Sequence, residues 1–359
     1  MSGAQNTFAS EIFRVHIGQI KAHAESEVVA KEKALKQVYS LAWQTLFKRL
    51  TLPQTALVEL TNDQINNLLE SFAVRKEAFG GGIYEANFEV QFSRSRVLDL
   101  FQTHQVDYAE QPASGILVLP LFKALDSGEP QWLVSNSANQ WLKIWSTHKI
   151  KDPDQLVPYI VPLWDLQDRQ IIQPDQVIAR NPVALNALLV KYNTRNLLFS
   201  SATLFPPNSK GQRKLSILLE FFGREWNNYP IKLDFLVAPS EPEHIVMQQA
   251  LNQVIEAIHA RWKQNHLIVL GRSASKQYVS FNPSNLTAFL KIQDTLKSLA
   301  RISDIKIKTL NTKNATLQLT YRGFASQLQQ DLSQVGIEII PHSLENHAWQ
   351  LKLSSLLNE

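Results

Sequence analysis

Three aspartates near the middle of the chain are the residues best suited to chemistry. Asp165 and Asp168 lie at the end of the apolar segment Tyr159–Leu166, and Asp175 follows them. Carboxylates fixed at short range can hold a hard cation or act as general acid and base. The same residues also cap helices and form turns. Because no His, Lys or further carboxylate stands at a readable spacing, capping is the favoured interpretation and a ligand site is the alternative.

Four tryptophans, Trp132, Trp141, Trp145 and Trp164, fall in the same stretch. An indole ring brings a large apolar area and one donor, which serves a core and a binding groove equally well. Core packing is favoured, with a partner or ligand surface as the alternative. Such a surface would comprise the following side chains: Asp126, Trp141, Trp145, Trp164, Asp165 and Asp168.

Motifs that identify common enzyme classes are missing from the sequence. It contains no HExxH, GxSxG, Walker or GxGxxG pattern, and the segment Gly271–Lys276 lacks the ending of a phosphate loop. Cysteine is absent, which excludes zinc fingers, iron–sulfur centres, thiol nucleophiles and disulfides. His244, His259 and His266 do not have the spacing of a ligand pair on one helix. We therefore predict no catalytic residue, no metal ligand and no cofactor.

Composition and charge describe an ordinary folded protein. The 359 residues are 44% hydrophobic and 19% charged, with a net charge of +4. The basic residues form no stripe with interleaved aromatics, so no nucleic-acid partner is expected. No apolar run approaches the ~18 residues needed to span a bilayer, and the amino terminus lacks a signal-peptide pattern, so the sequence as given predicts a protein without a transmembrane segment.

The elements that position these residues predict α/β and α+β architecture. The continuous apolar runs Ile116–Leu121 and Tyr159–Leu166 are typical of strands covered on both faces, and the intervening helical patterns predict a central mixed α/β sheet domain. Ligands of such sheets bind beyond the carboxyl ends of the strands, where Asp126 and Asp165 stand.

The flanking parts predict two further domains. Residues 1–111 contain a strand, a long helix and a hairpin turning at Gly80–Gly82, which indicates a small N-terminal α+β domain. Residues 112–240 form the central domain, and residues 241–359 combine a long bridging helix with a C-terminal ferredoxin-like β-α-β-β-α-β domain.

Several segments together resemble an uncharacterised proteobacterial group, the domain-of-unknown-function family 2066. They are the helix from Ala34 to Thr51, the strand Tyr84–Phe92 with Val97 and Leu98 after it, the ILVLP strand, the Pro162–Asp168 segment and Leu319–Gly323. The resemblance covers most of the chain, its motifs are structural, and it carries over no catalytic residue. It implies export to the periplasmic side of the bacterial envelope, with a cytoplasmic location as the alternative, since the sequence shows no leader.

Together, these features predict a non-enzymatic, multi-domain binding or scaffolding protein with a protein partner in the envelope. The rival hypothesis is a small-ligand sensor or hydrolase-type enzyme that uses the carboxyl-end surface of the central sheet.

Overall fold

The computed structural model describes residues 11–126, 131–135, 137–148, 154–223, 225–226, 229–270, 274–311, 314–340 and 349–353. The chain divides into two compact units. Unit 1 comprises Met1–Pro112, Asp152–Leu156 and Lys263–Glu359, and unit 2 comprises Ala113–Lys151 and Val157–Trp262. The described part holds ten helices and three sheets of three, five and five strands, which confirms the predicted mixed α/β and α+β class.

The N-terminal part of unit 1 is a three-stranded antiparallel sheet packed on a long helix. Its elements are β1 (Arg14–His23), α1 (Glu27–Leu50), α2 (Asn62–Asn67), β2 (Leu69–Gly80), β3 (Ile83–Phe92) and α3 (Arg94–His104). The strand order is β1-β3-β2. Every second residue of β3, from Tyr84 to Phe92, is buried, as are Val38, Ala42 and Leu46 of α1. The alternate side chains of β3 and the side chains at helical spacing on α1 therefore form one core.

The C-terminal part of unit 1 is a five-stranded sheet. It contains β9 (Ser275–Phe281), α9 (Leu286–Ser298), β10 (Ile302–Leu310), β11 (Ala315–Tyr321), α10 (Ala325–Gln334), β12 (Ile337–Ile340) and β13 (Trp349–Leu353). The elements follow the predicted β-α-β-β-α-β order, and the strands lie in the order β10-β11-β9-β13-β12. The last strand, β13, lies between β9 and β12, parallel to the first and antiparallel to the second. The additional strand β13 is therefore inserted into the ferredoxin-like arrangement, between β9 and β12.

Unit 2 is built on a mixed five-stranded sheet. Its elements are β4 (Ile116–Ala124), α4 (Gln140–Thr147), β5 (Tyr159–Ile160), α5 (Leu166–Ile171), α6 (Pro174–Ile178), α7 (Pro182–Lys191), β6 (Leu197–Leu204), β7 (Arg213–Phe222) and β8 (Ile231–Val237), followed by α8 (Glu243–Asn265), whose last turn belongs to unit 1. The strand order is β5-β4-β6-β7-β8. The first three strands are parallel, and β7 and β8 continue the sheet as an antiparallel hairpin.

One predicted strand of unit 2 is much shorter than its apolar pattern indicates. Only Tyr159–Ile160 is paired, whereas Leu163 is 82% exposed and Trp164 has a φ of +53°. Pro162 has no N–H for a sheet ladder, and a left-handed residue bends the chain away from the sheet. The strand prediction for the second half of Tyr159–Leu166 was therefore wrong, and this half leads into α5.

The predicted ranges 1–111, 112–240 and 241–359 contain one sheet each, and the division into three domains stays a prediction. Among the described helices, none combines the length and the apolarity that crossing a bilayer requires.

Candidate functional site

Asp165 and Asp168 lie side by side at the start of α5 in unit 2. Asp165 is the N-cap of the helix, and its Oδ1 accepts a hydrogen bond of 2.8 Å from the backbone N of Asp168. Asp168 is fully buried, and its Oδ2 accepts bonds of 2.8 Å from the backbone N of Trp164 and from the Tyr192 hydroxyl. The Nζ of Lys191, at the end of α7, donates to Oδ1 of both aspartates, at 2.9 Å to Asp165 and 2.7 Å to Asp168. We call these four residues, Asp165, Asp168, Lys191 and Tyr192, the Asp168 cluster.

The electrostatics of the Asp168 cluster favour its charged pairs. The hydrogen bonds from the Asp168 backbone and from Lys191 hold the pKa of Asp165 below its usual value. Burial lowers the pKa of Lys191, but its hydrogen bonds to the two carboxylates outweigh burial and raise the pKa above its ordinary value. Asp165 thus caps α5, and both carboxylates accept hydrogen bonds from Lys191 that connect α5 to α7. In this arrangement the Asp168 cluster organises the fold, and the buried carboxylate of Asp168 already has all its partners within the chain.

Asp126, the predicted site residue after β4, belongs to a different group of charges. Its Oδ2 accepts a hydrogen bond of 2.5 Å from Arg213 on β7, and the same guanidinium also pairs with Glu243 at the start of α8. Asp126 has no hydrogen bond or ion pair with Asp165 or Asp168 in the described part of the chain. The structure therefore brings the two predicted aspartates of α5 together but leaves Asp126 apart from them.

The three predicted tryptophans are buried in unit 2, with exposed fractions of 0%, 2% and 5% for Trp141, Trp145 and Trp164. Trp141 and Trp145 form an edge-to-face pair with ring centroids 6.1 Å apart, and the Trp141 indole N–H donates to Ser200 Oγ at 3.0 Å. Trp164 packs among the core residues around β4 and β6. These side chains fill the interior and present no exposed aromatic surface. The half-buried Trp132 lies under the Lys123 ammonium, 4.5 Å from its Nζ.

A cleft of about 1090 Å³, lined by both polar and apolar side chains, lies in unit 1. One wall comes from α3 and the segment after it, and the other from the end of α9, the start of β10 and the residue after β11. At one side, the backbones of Tyr108 and Ile268 pair through two hydrogen bonds, of 3.2 Å and 2.7 Å. The cleft thus joins segments more than a hundred residues apart, which explains why no sequence pattern reveals it.

Charged side chains of both signs line this cleft: Arg94, Asp99, Glu110, Asp294, Lys297, Arg301 and Arg322. Arg94 donates to both carboxylate oxygens of Glu110, at 2.7 Å and 2.6 Å. Arg322 differs from Arg94, because its guanidinium bonds only the neutral amide oxygen of Gln102, at 2.9 Å, and has no carboxylate within 4.0 Å among the described residues. Arg322 is therefore a half-buried cation whose charge is available to a ligand.

Arg301 forms the floor beneath Arg322. Its guanidinium is 2% exposed and donates to Asp331 Oδ2 at 2.8 Å and to the Leu267 carbonyl at 2.8 Å. The backbone N of Arg322 donates to the Arg301 carbonyl at 3.0 Å. The buried Arg301 therefore holds the backbone of Arg322 in place at the cleft. Gly323 has a φ of +103°, and a Cβ there would lie 2.5 Å from Arg301 Nη1, so this position requires glycine.

One segment singled out from the sequence lies at this cleft. The segment from Leu319 to Gly323 is among those that carry the resemblance, and Arg322 and Gly323 within it shape the cleft. The predicted linker Gly271–Lys276 lies partly outside the described residues. No group of three or more His, Asp or Glu side chains within the described part is arranged to hold a metal ion.

Three tyrosines give the fold an expected dependence on alkaline pH. Burial raises the pKa of Tyr108, Tyr159 and Tyr192 from 10.0 to about 12, and at Tyr192 the hydrogen bond to Asp168 adds to it. Folding therefore favours the protonated phenols, and this stabilisation is complete below pH 10 and is lost as the pH rises to about 12. The loss should be smaller at the half-buried Tyr192, whose phenol solvent partly screens, than at the buried Tyr108.

Urea unfolding at a series of pH values, together with tyrosinate absorbance, measures this effect. We expect a constant free energy of unfolding up to about pH 10 and a decline above it. Replacing Tyr192 with phenylalanine should reduce the decline. A free energy of unfolding that is unchanged up to pH 12 would contradict the expected burial of these phenols.

Comparisons with known proteins give no identity. No family model matches the chain, and no curated protein matches it. A solved structure described as the crystal structure of an uncharacterized protein matches 42% of this chain and 90% of its own, at 12% identity and a TM-score of 0.18. A likeness at this level carries no argument about fold or function, so the site must be interpreted from its own geometry.

Proposed function

We propose that this protein is a non-enzymatic binding protein of the bacterial cell envelope, on its periplasmic side, and that it holds a protein partner in the cleft of unit 1. The observation that carries the proposal is the guanidinium of Arg322, a half-buried cation without a carboxylate partner among the described residues, in a cleft of about 1090 Å³. The envelope location rests on the resemblance to the domain-of-unknown-function family 2066.

The chemistry of the cleft favours an acidic partner segment. A carboxylate that meets Arg322 can accept two parallel hydrogen bonds from the guanidinium, an arrangement stronger than a neutral contact. The apolar side chains Leu98, Ile268 and Leu270 line the same cleft and would cover apolar parts of the segment. Both Asp168 and Asp165 already accept hydrogen bonds from Lys191, so unit 2 supports the enzyme hypothesis less well.

Photo-crosslinking from inside the cleft tests this function. A photoreactive amino acid at Ser303, an exposed cleft residue, should trap a specific protein from an envelope fraction, and the same group at the exposed Lys210 in unit 2 should not. Replacing Arg322 with glutamate should weaken the capture about tenfold or more, because a like charge then faces the acidic segment. The Lys210→Glu variant, with an equal charge change, should leave it unchanged.

Two results would refute the proposed function. One is the recovery of no specific protein at Ser303 from envelope fractions, and the other is equal capture by the wild type and the Arg322→Glu variant. Circular dichroism of both variants shows whether a loss of capture comes from unfolding. Because the attraction is electrostatic, capture should also fall as the salt concentration rises.

A further inference from the structure

Strand β8 is an open edge of the sheet in unit 2. It pairs with β7 from Leu219↔Ile231 to Arg213↔Val237, and it is the last strand in the order β5-β4-β6-β7-β8. Among the described residues, no strand pairs with its other side. An edge strand of this kind presents a row of backbone N–H and C=O groups that can pair with another chain.

The sequence of β8 is complementary to itself when read in the opposite direction. Ile231, Lys232, Leu233, Asp234 and Phe235 follow one another. In an antiparallel pairing of two copies centred on Leu233, each Lys232 lies opposite Asp234 of the other copy, and each Ile231 lies opposite Phe235. Opposite charges and apolar residues placed directly across a strand pair both stabilise it. A two-fold axis requires this kind of self-complementary patch.

The pattern continues at both ends of the strand. In the same register, Leu236 lies opposite Pro230 and Val237 lies opposite Tyr229. Leu236 is 65% exposed and Tyr229 is 75% exposed, so each copy brings two of its most exposed large apolar residues to the ends of the pairing. The row of Ile231, Leu233 and Phe235 is half-buried beside the buried residues of β7, and a second strand would extend that apolar layer.

The charges of β8 remain available for such a partner. Lys232 is exposed and makes no ion pair with any described residue. Asp234 pairs with Lys214 at 2.9 Å and accepts from Ser216 at 2.6 Å, yet 42% of its side chain is exposed. A lysine in an edge strand normally opposes strand addition. Here the aspartate two positions later allows the one register that places unlike charges opposite each other.

We propose that β8 pairs with β8 of a second copy of this chain about a two-fold axis through Leu233. This pairing joins the five-stranded sheet of unit 2 in one copy to the same sheet in the other copy as one continuous sheet. This interface is separate from the cleft of unit 1 and does not depend on the partner proposed for it.

Charge exchange tests the register with the full chain. The Lys232→Asp variant places Asp opposite Asp, and the Asp234→Lys variant places Lys opposite Lys, so in each homodimer two like pairs replace two unlike pairs. Sedimentation equilibrium should show a dimer for the wild type and a dissociation constant raised about tenfold to hundredfold for each single variant. An equimolar mixture of the two variants should form a heterodimer, and the double variant Lys232→Asp/Asp234→Lys should dimerise again, because unlike charges are restored in both.

The recovery steps make the test independent of folding defects. A misfolded variant does not regain association when it is mixed with a second variant, and Lys232→Asp removes no ion pair found in the described part of one chain. A Lys210→Asp variant, changed at an exposed residue outside β8, should dimerise as the wild type does. A monomeric wild type at the highest soluble concentration would overturn the proposal. So would single variants that dimerise normally, or a mixture that stays monomeric.

Discussion

Replacing Asp168 with alanine is expected to lower the free energy of unfolding by about 3–5 kcal/mol, the cost of removing one partner from a buried charged pair. The substitution leaves the backbone N of Trp164 and the Tyr192 hydroxyl without their acceptor, and it removes the shorter of the two carboxylate contacts of the Lys191 ammonium, which keeps Asp165. Each of these donors lies close to the core, where water replaces the lost carboxylate poorly. Urea unfolding followed by circular dichroism measures the change.

Matched variants separate the buried carboxylate from its exposed neighbour. Asp165→Ala removes the N-cap of α5 but leaves Asp168 paired with Lys191, so a smaller loss is expected. In the double variant Asp168→Ala/Lys191→Met, part of the loss should be recovered, because the cation that has lost its buried partner is removed as well. Equal losses for Asp165→Ala and Asp168→Ala would show that Asp168 acts only through the helix start.

Replacing Arg301 with methionine is the second change with a large expected effect, a loss of about 3–5 kcal/mol in the free energy of unfolding. Methionine fills much of the same volume but cannot pair with Asp331, which is 6% exposed. The carbonyl of Leu267 also loses its donor. Because Arg301 underlies the cleft, the same variant should weaken capture of the partner in unit 1 even at temperatures where the protein stays folded.

Lys297 provides the control for Arg301. It lines the same cleft, but its side chain is 57% exposed, and its ion pair with Asp294 is long, at 3.9 Å. Exposed pairs of this kind contribute little to stability, so Lys297→Met should leave the unfolding midpoint nearly unchanged. If Arg301→Met has as small an effect on urea unfolding as Lys297→Met, the buried pair does not stabilise unit 1.

Local patterns were sufficient to predict most elements of the fold. The long helix predicted in residues 1–111 is α1, and the hairpin predicted to turn at Gly80–Gly82 is formed by β2 and β3. Both patterns depend on neighbours within a few residues, which a sequence displays directly. Only the first two residues of the apolar run Tyr159–Leu166 form a strand, because Trp164 adopts a left-handed backbone that its own residue type does not favour. Tertiary contacts decide that conformation.

The candidate site could not be predicted in the same way. The pairing of Tyr108 with Ile268 and the bond between Arg322 and Gln102 join distant segments, and no periodicity records which segments meet. The role of Asp165 as an N-cap followed from its residue type and its place after an apolar run. Its partner Lys191 lies 26 residues later, at the end of α7, and no readable spacing connects the two.

The division of the chain has a consequence for its biosynthesis. Unit 1 contains residues from both sides of unit 2, so the segment Met1–Pro112 leaves the ribosome long before its complement from Lys263 onward. At roughly 5–20 residues per second, the intervening 150 or so residues take roughly 8–30 seconds to synthesise. During that interval the nascent chain exposes the apolar surface that unit 1 will later bury, and unit 2 can fold first. Unit 1 can therefore be completed only after the residues from Lys263 onward have been synthesised.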